Sequence, residues 1–318
     1  MVWMVRMEHP ELNMEIAGIE FRNPLLLASG IADETGSSMA QAVLNGAGGV
    51  VTKSLSLAPR EGHRNPCIVD MTFGLINAMG LPNPGIEEYA KEIRTFREEI
   101  DAPTPVIGSV FGSTIDEYGL AAKEVQGIGV DAVEINGSCP NAKGLGMQFG
   151  QDPAVIDELV REVKVMVDIP VFFKLTPATS NIVDLAVAAQ DAGADGLVAV
   201  NTMPAMKIDI RTRRSHLTNV TGGLSGPALR PIGVRCVHQL ASSGEIDIPI
   251  IGVGGIMNHE DALEYLMAGA RAVQIGTAVT WRDLKLFGEI ASDLERFLKS
   301  EGVSSITDLV GSVLEVSG

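Results

Sequence analysis

Cysteine is scarce. Three thiols, Cys67, Cys139 and Cys236, stand far apart in 318 residues and form no CxxC pair. An odd, scattered set excludes a disulfide framework, supplies no thiolate cage for zinc or an iron–sulfur cluster, and points to a reducing compartment. Aromatic residues are also few, 4% against 46% apolar overall. A core built from aliphatic side chains and close glycine or alanine contacts is expected, and disorder is excluded. Basic residues are outnumbered 24 to 40, for a formal charge of −16, with no evident basic patch; nucleic acid is not an expected partner. No stretch approaches 18 uncharged apolar residues, and the first twenty positions contain acids and a proline before any apolar run reaches signal length. The expectation is a cytoplasmic protein without a membrane span. Neither a phosphate-binding GxxxxGK loop, an HExxH helix, nor a GxGxxG turn after the first strand is present, and no metal site is expected.

What the sequence does contain is repetition. Eight apolar runs read as buried parallel strands: Pro24–Ser29, Gly49–Ser54, Val106–Val110, Ala132–Asn136, Val171–Leu175, Gly196–Asn201, Ile248–Gly254 and Ala272–Gly276. Helical stretches alternate with them, at 37–45, 85–100, 113–127, 153–167, 181–193, 226–243 and 258–268. The pattern predicts an α/β fold, a single (β/α)8 barrel spanning residues 1–318, with an N-terminal hairpin over 13–21 and a further helix in the tail from Ser292. Two connections, 54–84 and 202–226, exceed ordinary loop lengths. In a barrel they are expected to form lids or binding loops at the C-terminal ends of the strands.

Several polar residues fall at that end. Lys53 and Lys174 interrupt apolar strands, and an unpaired buried ammonium is costly, so they either pair with acids or face an anionic or electron-rich ligand. Asn77, Asn136, Asn141 and Asn201 offer donor and acceptor pairs suited to amide and carbonyl edges. Cys139 follows the fourth strand in NGSCPN, before a glycine-rich stretch. With an ordinary thiol pKa of about 8.5 it needs only modest activation to act as a base. Cys67 and Cys236 are read as structural. Gly254–Gly255 and Gly276–Thr277, after strands seven and eight, suit a backbone cradle for a phosphate. A phosphorylated flavin explains these features better than a dinucleotide fold does.

Motifs in order along the chain carry a closer resemblance: NPLLLASG (23–30), VTKS (51–54), NAMGLPNPG (77–85), VEINGSCPN (133–141), FKLTP (173–177), NT (201–202), TGGLSGPA (221–228), GVGGI (252–256) and QIGTA (274–278). Together they resemble the dihydroorotate dehydrogenase family, and most closely its NAD-linked FMN subunits. The resemblance implies a β/α barrel that holds FMN and oxidises (S)-dihydroorotate to orotate in pyrimidine synthesis. It makes Cys139 the base that takes the C5 proton while a hydride leaves C6 for the flavin. It places Ser29, Lys53, Ser54, Ser109, Asn136, Lys174, Val200, Gly226, Gly254, Gly255, Gly276 and Thr277 at the flavin. Lys53, Asn77, Ala78, Met79, Gly80, Leu81, Asn136, Asn141, Asn201 and Thr202 go to the substrate.

The cysteine base also bears on subtype, because quinone-linked members use serine and generally carry a membrane-associated extension. The resemblance implies a homodimer joined to two separate electron-transfer subunits holding FAD and a 2Fe-2S cluster, which pass electrons to NAD; direct transfer to fumarate fits less well. Two departures stand out. Gly137 replaces the usual bulky aliphatic residue, and is expected to loosen the loop holding Cys139. Ser109 replaces an asparagine often near the flavin. GMQFGQDP (146–153) resembles the flavin part of dihydropyrimidine dehydrogenases, which leaves uracil or thymine reduction as an alternative; a noncatalytic flavin scaffold is another.

Overall fold

The computed structural model describes residues 10–137 and 150–316. Eight parallel strands close into a barrel in chain order: β1 (Leu25–Leu27), β2 (Gly49–Val51), β3 (Val106–Val110), β4 (Ala132–Ile135), β5 (Val171–Leu175), β6 (Gly196–Ala199), β7 (Ile250–Val253) and β8 (Ala272–Ile275), with β8 pairing back onto β1. Continuous apolar runs form these strands because helices cover the outside and side chains fill the inside, so no residue of β3, β4, β5 or β6 faces solvent. The two-stranded antiparallel piece Met14–Ile16 with Ile19–Phe21 precedes β1, as expected.

The helices begin where side chains can satisfy the first free N–H groups. Thr35 caps α1 (Gly36–Leu44) in a reciprocal pair with Ser38. Thr114 caps α3 (Ile115–Gly127), the helix after α2 (Ile86–Glu99). Asp152 caps α4 (Pro153–Met166), and Asn258 caps α7 (His259–Met267), which follows α5 (Ile182–Asp191) and α6 (Arg230–Ser242). The expected helix from 226 is broken. Pro227–Leu229 forms a 3-10 turn and α6 starts at Arg230, with Pro231 in its first turn, where a missing N–H costs nothing. The tail also differs: a short helix, α8 (Ala278–Arg282), follows β8 directly, and α9 (Leu286–Glu301) begins six residues before Ser292.

Most expected strands overran at their C-terminal ends. Ser29, Lys53, Ser54, Asn136, Asn201, Gly254 and Gly276 all lie just past the last ladder residue. Single backbone hydrogen bonds persist a little beyond the strands, as in Asn136 N–H to Val110 O and Asn201 N–H to Leu175 O. The residues singled out for chemistry therefore ring one mouth of the barrel.

The two long connections are not plain loops. Ile68–Met71 and Gly74–Asn77 from the first combine with Met203–Ala205 and Gly222–Ser225 from the second in one four-stranded antiparallel sheet. The pairing of Gly223 with Asn77 and Leu224 with Ile76 joins segments about 146 residues apart, which no local pattern announces. A small apolar cluster of Ile76, Ala78 and Leu217 packs on one face of this sheet. Beside it, the hairpin Ile208–Asp209 with Arg214–Ser215 gathers Lys207, Arg211, Arg213 and Arg214 into a local basic stretch that the overall acidic balance conceals.

Candidate active site

The floor of the mouth is a polar layer inside an otherwise apolar barrel. Glu134 on β4 is fully buried; its Oε1 accepts from Lys174 Nζ on β5 at 3.0 Å, and its Oε2 accepts from Gln274 Nε2 on β8 at 2.6 Å. Gln274 Oε1 in turn accepts from Lys174 Nζ at 3.0 Å. Lys174 thus meets its acid within the barrel, and its side chain, 8% exposed, still lines the cavity above.

Above this layer a chain of amides and hydroxyls crosses the mouth. Asn201 Nδ2 donates to Asn136 Oδ1 at 3.0 Å, and Asn136 Nδ2 donates to Ser54 Oγ at 2.9 Å. Ser54 Oγ shares a proton with Ser109 Oγ at 2.8 Å and approaches Ser29 Oγ at 3.4 Å. Such chains orient each amide in one sense and preset which edges face a ligand. Ser109 is fully buried behind Ser54, where it steadies that hydroxyl and does not line the cavity.

Lys53 sits on the opposite wall between two acids of the β1–α1 loop. Its Nζ lies 3.3 Å from exposed Glu34 and 3.8 Å from buried Asp33. Asp33 Oδ2 accepts from the Gly30 N–H, its Oδ1 lacks a hydrogen bond, and the buried Tyr89 hydroxyl donates to its backbone carbonyl. Burial raises the Asp33 carboxyl above the ordinary range, against the lowering pull of Lys53. A raised native pKa means that this group's contribution to stability is complete below its unfolded value and is lost as pH rises through the native one. Asp33→Asn removes the buried charge and is therefore expected to stabilise the fold at neutral pH. The gain should shrink in acid, which thermal melts near pH 8 and pH 4 would measure.

The four-stranded sheet roofs the site. Leu75 and Asn77 face the cavity while Ile76 and Ala78 face the small apolar cluster on the other side of the sheet, the alternation a strand imposes. Met79, Gly80, Leu81 and Pro82 continue the wall, and Asn201, Thr202 and Ser225 close it from the second connection. The enclosed space is about 390 Å³. Thirteen of the residues expected at flavin or substrate line it: Ser29, Lys53, Ser54, Asn77, Met79, Gly80, Leu81, Asn136, Lys174, Asn201, Thr202, Gly276 and Thr277. Ala78 and Val200 are buried away from it, and Gly226, Gly254 and Gly255 stand outside its lining. Cys139 and Asn141 lie outside the described residues.

The glycines explain the far wall. Gly255, at φ +72°, packs so closely that a Cβ would come within 2.6 Å of Gly226 O, locking the β7–α7 connection onto the turn that begins α6. Tyr265 OH holds the same connection through Gly254 O at 2.7 Å. Gly276 is different, since a Cβ there would meet protein atoms only at 3.4 Å. Its missing side chain leaves room on the cavity side. At Gly137, the space an aliphatic side chain would take is filled from β5, because the Phe173 ring lies 3.1 Å from a Cβ built there.

Sequence reading missed Glu34, Asp70, Ser225 and Thr280 in the wall and the Glu134–Gln274 pair in the floor. The floor had a signal: a carboxylate and an amide inside apolar parallel strands need partners. Asp70 and Ser225 had none, because they reach the site through nonlocal strand pairing, whereas Glu34 and Thr280 sit on the connections that follow β1 and β8. Two ammoniums, an amide and hydroxyl chain, apolar faces from Ile31, Leu75 and Leu81, and the open side of Gly276 suit a flat, electron-rich, hydrogen-bonding ring system.

Comparison with known proteins gives a consistent set. A family model described as dihydroorotate dehydrogenase matches residues 11–298. The chain is 50% identical over 305 residues to the dihydroorotate dehydrogenase B (NAD(+)) catalytic subunit of Pyrococcus abyssi, covering 96% of this chain and 100% of that one. It is 47% identical to the subunit of the same name in Methanocaldococcus jannaschii, covering 96% and 98% of the two chains. The Thermoplasma acidophilum subunit is 48% identical over 301 residues, covering 95% and 98%.

Proposed function

The chain belongs to the dihydroorotate dehydrogenase family, and from that premise we propose that it is the catalytic subunit of an NAD-linked enzyme that oxidises (S)-dihydroorotate to orotate in pyrimidine biosynthesis, with FMN as its flavin. The observation that supports this best is the convergence of Lys53, Lys174, Asn136 and Asn201 on one cavity. FMN, when bound, supplies the two-electron acceptor for the hydride from C6. Cys139, as thiolate, takes the C5 proton, so that substrate loses one proton and one hydride and gains the ring double bond.

The remaining residues orient. Asn77, Asn136 and Asn201 match the imide and carboxylate edges of the ring with donors and acceptors, and Lys53 holds negative charge where substrate and flavin meet. Lys174 would offer its ammonium to an electron-rich edge of the flavin. Gly276 and Thr277, at the start of α8, would hold its phosphate, backed by the packed Gly226–Gly255 junction. Loss of the Lys53 ammonium, as Lys53→Met, is expected to raise the substrate KM and lower kcat together, which steady-state assays with an artificial acceptor would resolve.

Electrons leave through a separate subunit carrying FAD and a 2Fe-2S cluster, two of each joined to a dimer of this chain. The relatives' designation as catalytic subunits supports a partner, and three scattered cysteines cannot ligate such a cluster. Among the described residues no helix is long and apolar enough to cross a membrane. The substrate assignment is tested by offering dihydroorotate and dihydrouracil separately to the FMN-loaded chain. Selective flavin reduction by dihydroorotate is expected; reduction by dihydrouracil alone would move the protein to dihydropyrimidine chemistry. The FMN-loaded chain by itself should reduce no NAD.

A further inference from the structure

Stability does not ask for a charged triad inside the barrel. Barrel interiors are ordinarily layers of branched apolar side chains, and a buried ion pair is often matched or bettered by apolar residues of similar volume. Here Glu134 and Gln274 come from strands four apart in an eight-stranded barrel, so they face each other across its axis, and Lys174 rises from between them into the cavity. Both carboxylate oxygens are engaged, the amide of Gln274 is used at both ends, and two donors of the ammonium are fixed by the ring they form. Only one assignment of donors and acceptors satisfies all three groups. Closed networks of this kind hold a side chain in one place.

We propose that Glu134, oriented by Gln274, is a positioning residue that acts through Lys174, fixing its ammonium at one point of the cavity floor for recognition of an electron-rich ligand edge. This rests on the reading of the cavity as a flavin site. Glu134 is fully buried and does not line the cavity, so its influence passes through the lysine.

The test is a double-mutant cycle read by FMN affinity, from quenching of flavin fluorescence, and by the rate of anaerobic flavin bleaching. In Glu134→Gln the new amide nitrogen cannot accept from Lys174 or Gln274, and FMN affinity should fall roughly 10- to 100-fold, the span of a hydrogen bond to a charged group. In a Lys174→Met background the same substitution should bring no further loss, because the group it acts through is gone. The exchange E134Q/Q274E restores matched donors and acceptors with the carboxylate across the barrel, and is expected to recover most of the affinity and rate. Equal losses from E134Q with and without Lys174 would overturn the proposal, as would wild-type FMN affinity in E134Q. Should E134Q fail to fold, an exchange variant that folds but binds FMN as weakly as Lys174→Met would overturn it as well. Failure of the unaltered chain to bind FMN would instead overturn the flavin reading itself, so the two failures are distinguishable.

Discussion

Replacing Cys139 with alanine is expected to slow flavin reduction by dihydroorotate roughly 10²- to 10⁴-fold, the usual range for losing a positioned general base, while FMN stays bound. The cavity is built from β-strand ends over the Glu134–Lys174–Gln274 floor, and under the proposed function these groups hold the flavin while Cys139 serves only the proton transfer. Binding and chemistry should therefore separate. With a thiol as base, the rate should climb with pH through the thiol's ionisation and then level off. Cys139→Ser should keep climbing to higher pH, because a hydroxyl ionises far less readily. Cys236 provides the control: it is buried on α6, and burial raises its thiol above the ordinary value. Cys236→Ala should leave the reductive step unchanged. Stopped-flow bleaching of the three variants across pH measures all of this. Rapid, wild-type bleaching in a folded, FMN-loaded Cys139→Ala would remove the residue from the mechanism.

The second large effect is expected at Gly255. Alanine there places a methyl group 2.6 Å from Gly226 O and 2.9 Å from both the backbone nitrogen and Cβ of Arg230, at a φ of +72° that L-residues rarely adopt. Two of these three neighbours are backbone atoms, so rotating a side chain cannot relieve the contact. The β7–α7 connection must move off the turn before α6, and Trp281 of α8, which packs against Gly226, must move with it. Backbone strain and displacement of this kind typically destabilise by several kcal/mol. Because α8 carries Thr277 and Thr280 at the cavity wall, FMN affinity should fall by about 100-fold or more, equivalent to about 3 kcal/mol. Gly276→Ala is the contrast. It meets no protein atom closer than 3.4 Å, so it should fold normally and lose only flavin affinity. Melting curves and FMN titrations of the pair distinguish a lost scaffold from a filled ligand space.

Much of this architecture is legible in the residues. Continuous apolar runs such as VIGSV and VFFKL admit little but buried parallel strands, and caps such as Asp152–Pro153 and Asn258 mark helix starts, so barrel and order follow directly. Lys53 and Lys174 stand out because charge inside an apolar run needs a reason. The four-stranded roof does not stand out: its strands are three or four residues long, rich in glycine, and paired across more than a hundred positions. The same limit hides Asp70 and Ser225, whose places depend on where distant segments meet. At Gly137 the Phe173 ring from the next strand stands 3.1 Å from where a Cβ would be, a contact no local pattern announces, while the Cys139 loop that follows lies outside the described residues. Glu134 was visible as an anomaly in AVEIN, but its partners, one on the neighbouring strand and one across the barrel, become clear only once the barrel closes.

Under the proposed function this chain alone, loaded with FMN, removes a proton and a hydride from dihydroorotate. Anaerobic visible spectroscopy during a stoichiometric addition of dihydroorotate, with orotate quantified in the same sample, tests it most directly. Bleaching of the flavin band is expected, with one orotate formed per flavin reduced and no need for a partner subunit or NAD. A folded, FMN-loaded chain whose flavin spectrum is unchanged by dihydroorotate, with no orotate formed, would contradict it.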